Sequence, residues 1–155
     1  MTFNQAAVNA LYISVVSQLE TLGIFETVNS HEPKSAPGSG ARAVCWIQSM
    51  KPVGAASGLA ALSGVVMLNI RIYSNFIQQP QDMIAPDITT ATAPVMNVFS
   101  TGFTLGGTVR EIDLLGMYGM AMEATSGYLN QDNRIYRVMT ITLPVVINDM
   151  FTELA

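Results

Sequence analysis

The chain has 155 residues, a length typical of a single domain that can bury its own hydrophobic core, and we expect one domain over residues 1–155. Hydrophobic residues make up 50% of it, but charged residues only 12%, against roughly 25% in ordinary soluble domains. Seven basic residues and a net charge of −4 argue against a protein that binds nucleic acid through the phosphate backbone. So few charges leave apolar surface uncovered, and we therefore expect an obligate oligomer.

Several common sites and signals are not predicted by the sequence. Cys45 is the only cysteine, so it cannot form an internal disulfide, and its neighbours Val44 and Trp46 are typical of a buried strand. His31 stands alone in a polar stretch and is expected to be solvated rather than bound to a metal. The first twenty residues do not resemble a signal peptide, and no apolar run approaches the roughly 18 residues of a membrane span.

The N-terminal segment is predicted to form an amphipathic helix over residues 3–22. Thr2 and Gln5 have the spacing of a capping box, and Gly23 can end the helix. The polar stretch 30–40, with two prolines and two glycines, is predicted to be a surface loop. One face of the helix would carry Val8, Leu11, Val15, Leu19 and Leu22.

Two strands are predicted next, over residues 42–48 and 65–73. In the second strand, Val66, Leu68, Ile70 and Ile72 alternate with Met67, Asn69, Arg71 and Tyr73, which indicates one buried and one half-exposed face. The strands are expected to pair antiparallel, joined by residues 49–64, SMKPVGAASGLAALSG. Such a long connection with one charge is expected to project from the sheet and rest on another subunit.

A second helix is predicted after Pro80, with apolar residues at helical spacing as far as Phe99. Pro86 fits a first helical turn, whereas Pro94 lies further along the helix, where it is expected to kink or split it.

The C-terminal third is predicted to contain three strands, over residues 109–116, 117–124 and 134–149, with a turn at 130–133. Both faces of the last strand are apolar, which indicates a central position, while Pro144 is expected at an edge, a bulge or a strand end. Together the elements predict an α+β fold, with one mixed or antiparallel sheet of about five strands and two main helices.

No catalytic constellation is predicted. Glu111 and Asp113 would share one face of a strand, either as a solvated pair beside Arg110 or as an acid-base or cation site, and the solvated pair is favoured. The run Met117, Met120 and Met122 is interpreted either as core or as a surface that packs against a repeating partner. The chain is therefore not expected to be an enzyme or to need a cofactor or metal.

Three stretches carry a family resemblance: RIYSNFIQQPQDMIAPDI, GFTLGGTVREIDLLG and GYLNQDNRIYRVMTITLPVVIND. Together with the order of the predicted elements over residues 1–151, they resemble the tail terminator proteins of long-tailed bacteriophages that infect actinobacteria. This resemblance implies a ring-forming subunit of the tail-terminator fold, six copies of which cap the finished tail tube. The ring would stop tube polymerisation and join the tail to the head connector.

The resemblance also implies partners and a location. The partners would be further copies of the chain, the tail tube protein and the connector or stopper protein, with the tape measure protein as a further candidate. DNA would only pass through the channel, and no membrane would be involved. The location would be the head-proximal end of the tail in the virion, after assembly in the host bacterial cytoplasm. The candidate subunit or tube interface comprises Met50, Lys51, Pro52, Val53, Leu59, Leu62, Met117, Met120 and Met122.

Two alternatives remain at this point. The chain could be another head-tail connector or a tail tube subunit. It could also be a small ligand-binding α+β domain or an enzyme, in which Glu111, Asp113 and the methionine run line a pocket.

Overall fold

Two long strands, paired along their length, form the centre of the computed structural model, which describes residues 2–25, 27–29, 42–54, 57–75, 81–131 and 134–153. In these residues a mixed sheet of seven strands packs against two α-helices, so the predicted α+β class is confirmed. The elements are β1 Thr2–Phe3, α1 Gln5–Thr21, β2 Thr27–Asn29, β3 Arg42–Pro52, β4 Ala61–Asn75, α2 Gln81–Thr101, a 3₁₀ turn Leu105–Gly107, β5 Glu111–Ile112, β6 Glu123–Gln131 and β7 Arg134–Thr152.

Across the sheet the strand order is β2, β3, β4 and β7, and the position beyond β7 is shared by three segments. Along β7, β6 pairs with the first half, β5 with Val145 and Val146, and β1 with Phe151 and Thr152. The sheet is therefore five positions wide, close to the predicted five strands, but contains seven strands because short segments divide one edge. Only β2 and β3 are parallel.

Both helices pack on the same face of the sheet. The predicted face of α1 is buried from Val8 to Leu19, and Ile88, Val95 and Phe99 of α2 are buried beside it. The sheet contributes the predicted inward residues of β4 together with the matching residues of β7. The strand residues of this core are Cys45, Val66, Leu68, Ile70, Ile72, Ile112, Ile141, Leu143, Val145, Ile147 and Met150.

The start of α1 differs from the prediction. Thr2 belongs to β1 and pairs with Thr152, so it cannot cap the helix. Asn4 is the N-cap instead, and its side-chain oxygen accepts a hydrogen bond from the Ala7 amide at 3.1 Å. Gly23 ends the helix as predicted, with a φ of +68° and its amide bonded to the Glu20 carbonyl.

The connection between β3 and β4 is shorter than predicted. The two strands do pair antiparallel, but their pairing continues to Lys51 with Val65 and Pro52 with Gly64, so only residues 53–60 connect them. The continuation depends on Gly64, since a Cβ there would overlap the Met150 methyl group and lie 3.0 Å from the Lys51 carbonyl oxygen. The sequence around these strand ends is apolar and rich in glycine, so it lacks the alternation of polar and apolar residues that would have predicted a strand.

The second helix is not split at Pro94, contrary to the prediction, and runs from Gln81 to Thr101. Pro94 lacks the amide that would bond to the carbonyl of residue 90. Buried Ile88 on one side and Val95 with Phe99 on the other hold both halves against the sheet, so packing outweighs the lost bond. Pro86 lies in the second helical turn rather than the first because the helix begins at Gln81.

The C-terminal strands are only partly as predicted. The strand predicted over 109–116 shrinks to Glu111–Ile112, and the one predicted over 117–124 is wrong because β6 begins at Glu123. β7 is central, as predicted. Pro144 lies in its middle, not at an end or edge, and its carbonyl accepts the Asp113 amide at 2.8 Å in the gap between β5 and β6. Its missing donor faces this gap, where no strand needs it.

Cys45 links the sheet to α1. Its side chain is buried, and its carbonyl oxygen accepts a hydrogen bond from the Tyr12 hydroxyl. Burial raises the pKa of the Cys45 thiol from 9.0 to about 12. Burial, followed by repulsion from a Cys45 thiolate, raises the pKa of Tyr12 from 10.0 to about 12.

The raised pKa of Cys45 predicts a loss of stability in alkali. Above pH 9 the unfolded chain releases the thiol proton while the folded chain retains it, so stability is full below pH 9 and falls up to about pH 12. We expect this thiol to contribute a slope of up to about 1.4 kcal/mol per pH unit to the free energy of unfolding. Urea denaturation between pH 8 and 11 would measure it. Cys45→Ala should remove that slope and leave the Tyr12 contribution, whereas an unchanged slope would contradict a protonated, buried thiol.

Gly64 gives a second test of the fold. We expect Gly64→Ala to lower the free energy of unfolding by about 1–3 kcal/mol, because the added Cβ must displace Met150 and approaches the Lys51 carbonyl. Gly54→Ala is the matched control, since nothing lies within 4 Å of its added Cβ, and it should stay within about 0.5 kcal/mol of wild type. Equal stabilities of the two variants in urea denaturation would refute the close packing at Gly64.

Candidate functional site

Residues 113–122 run from β5 across the helix-free face of the sheet to the start of β6, and we call them the crossing segment. Its Tyr118 packs against Val53, Val65 and Val146, which follow or belong to β3, β4 and β7. Its Gly119 lies beside the Lys51 side chain, whose Nζ atom would be 3.9 Å from an added Cβ. The structure therefore brings together two groups of predicted interface residues that are far apart in sequence.

Asp113 holds the crossing segment in place. Its carboxylate oxygens accept hydrogen bonds from the amides of Met117 and Tyr118, both at 2.8 Å, and its own amide donates to the Pro144 carbonyl. The Asp113 residue is only 4% exposed. Gly116 adopts a φ of +78° at the turn that these bonds close, a conformation that side-chain-bearing residues rarely adopt. The segment is therefore fixed by hydrogen bonds to a central strand.

The ordered crossing segment presents large apolar side chains to the outside. Leu115 is 86% exposed, Met117 is 78% exposed, and Met120 and the neighbouring Phe103 are also exposed. Phe103, Leu115 and Met117 line a hollow of about 170 Å³ together with residues 111–114. A rigid backbone that holds this much apolar surface in water is typical of a contact site for another protein.

The other predicted interface residues lie at the β3–β4 end of the sheet. Leu59 is 100% exposed in the connection, and Met50, Lys51 and Pro52 are exposed at the end of β3. Because successive strand residues face opposite sides, Met50 and Pro52 face the helix side, whereas Lys51 and Val53 face the helix-free side.

Three of the predicted residues are partly or wholly withdrawn from the surface. Val53 is buried against Val65 and Val146, Leu62 is half-buried, and Met122 is half-buried against the main core. Of the three methionines in the run, Met122 therefore serves as core, while Met117 and Met120 remain at the surface.

The structure does not support the paired-carboxylate interpretations. β5 ends at Ile112, so Glu111 and Asp113 do not lie in one strand. Asp113 is buried and both its oxygens bind backbone amides, so the predicted solvated pair is wrong. Within the described ranges, no group of three or more histidine, cysteine or acidic side chains could hold a metal. His31 and the predicted loop at 30–40 lie outside the described residues.

The helix-free face is more closely packed than predicted. Met67, Asn69 and Tyr73 are buried rather than half-exposed. Arg71 stacks over Trp46 at 5.1 Å from the ring centroid, and its Nε donates to the Thr140 hydroxyl at 3.1 Å. Asn69 similarly donates to the Gln48 side chain at 3.0 Å. Contacts between neighbouring strands therefore shield this face.

A second hollow, which pattern analysis did not predict, lies between the C-terminal ends of the two helices. Its volume is about 570 Å³ and it has no charged lining residue. In the sequence, this hollow could have been recognised from the apolar residues of each helix that lie outside its buried stripe. The lining residues are Gln18, Leu22, Pro94, Asn97, Val98, Thr101, Gly102, Leu105 and Gly106. Neither described helix is long and apolar enough to cross a membrane.

No protein-family model matches the sequence, and no curated protein matches it. Among solved structures, the chain is similar to a chain in the virion of a native gene transfer agent particle, with a TM-score of 0.43 and 13% identity over 92% of this chain and 98% of that chain. It is also similar to the sheath/tube terminator, in the extended state, of the extracellular contractile injection system PVC. That match has a TM-score of 0.40 and 14% identity, and covers 100% of this chain but only 61% of the other. Likenesses this distant establish no function.

The role of Asp113 can be tested by stability measurements. We expect Asp113→Ala to lower the free energy of unfolding by about 2–3 kcal/mol, because two hydrogen bonds to a buried carboxylate are lost. Asp113→Asn, which keeps one acceptor oxygen, should lower the free energy of unfolding by less. Glu111→Ala is the control from the same hollow and should change stability by about 0.5 kcal/mol or less. An Asp113→Ala variant as stable as Glu111→Ala would show that the segment is held in another way.

Proposed function

We propose that all 155 residues form one structural domain of a phage virion, and that six copies form a ring that caps the tail tube. The ring stops tube polymerisation and joins the tail to the head connector. The observation that carries the proposal is the crossing segment, which is fixed by Asp113 and yet exposes Leu115 and Met117. The resemblance of the sequence to tail terminator proteins supports the same role.

The low charge of the chain supports assembly on physical grounds. Only 12% of the residues are charged. Among the described residues, the three most exposed large apolar side chains are Leu115 and Met117 in the crossing segment and Leu59 in the β3–β4 connection. A subunit of a closed ring buries two different flanks, and a capping ring also buries an axial face. Apolar patches at two separate places on one subunit fit contacts of this kind.

The partners of the proposed ring are further copies of the chain, the tail tube protein, the connector or stopper protein and the tape measure protein. DNA passes through the channel without specific recognition, and no membrane takes part. The protein is assembled in the host bacterial cytoplasm and remains at the head-proximal end of the tail.

A different head-tail connector or a tube subunit is the nearest alternative and would use a similar surface. Growth of the purified protein into unlimited tubes would identify a tube subunit. A small ligand-binding domain or an enzyme is the alternative of another class, with the hollow beside Met117 as its site. Reproducible thermal stabilisation by one compound from a panel of metal ions and metabolites would favour it.

Capping is the most direct test of the proposed function. We expect the purified protein to halt growth when it is added to polymerising tail tube subunits, with tube length measured by electron microscopy. A Leu115→Ser/Met117→Ser variant should need roughly tenfold more protein for the same effect, because exposed anchors at the centre of an interface contribute most of its binding energy.

The control for this experiment is Ile13→Ser, which removes a residue that is 68% exposed on α1, away from the crossing segment. It should cap as well as wild type. Failure of the wild-type protein to shorten tubes would refute the proposed function. Equal loss of capping in the control would show that the crossing segment is not the contact site.

A further inference from the structure

The sheet has two open edges in the part of the chain that the structure describes. β2 covers β3 only from Arg42 to Val44, so the outer side of residues 45–52 carries no described strand. At the other side of the sheet, β6 pairs with β7 alone. Residues 48–52 of β3 are exposed, as are most residues from Glu123 to Asn130, so both edges are accessible.

The two edges differ in how they are protected against pairing. β3 carries a bulge at Gln48, a lysine at position 51 and a proline at position 52, features that discourage pairing with any strand that does not match the bulge and the charge. β6 has no lysine, no proline and no bulge along its nine residues. A long unprotected edge strand is expected to be paired in the assembled state.

The directions of the backbone amides show which residues could accept a partner. The Asp113 amide donates to the Pro144 carbonyl, so Pro144 and the other even-numbered residues of β7 direct their amides and carbonyls toward β6. These residues lie opposite the odd-numbered residues of β6, which therefore form the hydrogen bonds to β7. Ala124, Ser126 and Tyr128 therefore direct their amides and carbonyls outward. On β3, the bond from the Val53 amide to the Ser63 carbonyl places Met50 outward, and beyond the bulge Ile47 is outward. The next outward carbonyl, that of buried Cys45, already accepts a hydrogen bond from the Tyr12 hydroxyl, so the open edge ends at Ile47.

We propose that β6 of one copy pairs antiparallel with the open edge of β3 in the next copy, with Glu123 opposite Lys51 of the neighbouring copy. This register places Ala124 opposite Met50 and Ser126 opposite Ile47, with Gln48 as the bulged residue. Every pair then joins two outward-directed backbones. The proposal rests on the proposed ring and specifies how its subunits are joined.

Two further features fit this register without adjustment. Paired side chains would lie on the same face of the joined sheet, since Ala124 and Met50 both face the helix side, whereas Glu123 and Lys51 both face the helix-free side. Glu123 and Lys51 are also the only charged residues in the two open stretches, 123–131 and 45–52. Pairing two β3 edges or two β6 edges with each other would not unite these opposite charges, so the charges favour a head-to-tail contact.

The geometry also allows the ring to close. Within one chain, the register across the sheet places Glu123 in line with Trp46, through Thr142 and Asn69. In the neighbouring copy Glu123 would instead lie opposite Lys51, which is four residue pairs, or about 13 Å, further along β3. The sheet advances by four strands, or about 19 Å, from one β3 to the next. The resulting slope is about 35°, which lies in the range of strand tilts in closed barrels. Tyr12 of the neighbouring copy, whose hydroxyl bonds to the Cys45 carbonyl, ends the pairing beyond Ser126.

Charge exchange between two variants tests this contact. Lys51→Glu and Glu123→Lys should each lower the fraction of protein in rings by roughly tenfold or more, because like charges then face each other at every contact. An equimolar mixture of the two variants should restore rings, since alternating copies again place opposite charges together. Mass photometry on the wild-type protein, each variant and the mixture would measure this.

Two backbone and cross-linking variants provide independent readouts. Ser126→Pro removes one outward amide without breaking the bonds between β6 and β7, and should weaken assembly relative to Ser126→Ala, which keeps the amide. In a Cys45→Ala background, Met50→Cys/Ala124→Cys should oxidise to a ladder of covalent oligomers, even where free rings are scarce. Met50→Cys/Thr125→Cys places the thiols on opposite faces and should give much less.

The possible outcomes separate this inference from the proposed function. Tube capping by the wild type, with neither charge rescue nor a cross-linked ladder, would overturn the edge pairing and leave the tail role intact. Charge rescue together with a ladder, but without capping, would support the pairing and contradict the tail role. Absence of all three would overturn both.

Discussion

The pairing of β7 with four other described strands is the interaction on which the remaining structure depends. β4 pairs with it on one side over almost its whole length, while β6, β5 and β1 share the other side. A strand of 19 residues can serve three short partners because Pro144 lies where β5 and β6 leave a gap. The Asp113 amide donates to the Pro144 carbonyl in this gap, so the crossing segment begins where β7 has no paired strand on that side.

The two faces of this sheet are covered in different ways. One face is covered by α1 and α2 and supplies the main core. The other is shielded by contacts between neighbouring strands, such as Arg71 over Trp46, and by Tyr118 from the crossing segment. Because the fold needs no further cover, the exposed Leu115 and Met117 are free for contacts outside the chain. The stability of the fold therefore does not depend on Leu115 and Met117, so substitutions there can test assembly without unfolding the chain.

Local patterns predicted those parts of the fold in which one residue spacing dominates. The buried stripe of α1 and the alternation of β4 follow directly from periodicity, and both are present. The crossing segment could not be predicted in this way, since its path depends on two long-range partners, Pro144 for the Asp113 amide and the β3 end for Tyr118. The strand ends around Gly64 were also missed, because a glycine that makes room for Met150 cannot be distinguished in sequence from a loop glycine. The candidate residues Met117, Met120 and Leu59 were identified from apolar composition, but their relation to one another required the structure.

We propose that this charge-poor chain covers its exposed apolar surface with copies of itself and with the end of a tail tube. Cryo-electron microscopy of the protein bound to tail tubes would show whether this surface is covered. We expect a closed ring at one tube end, with the crossing segment and Leu59 buried at contacts. A single unassembled copy on the tube, or a ring in which Leu115, Met117 and Leu59 all remain exposed to solvent, would contradict it.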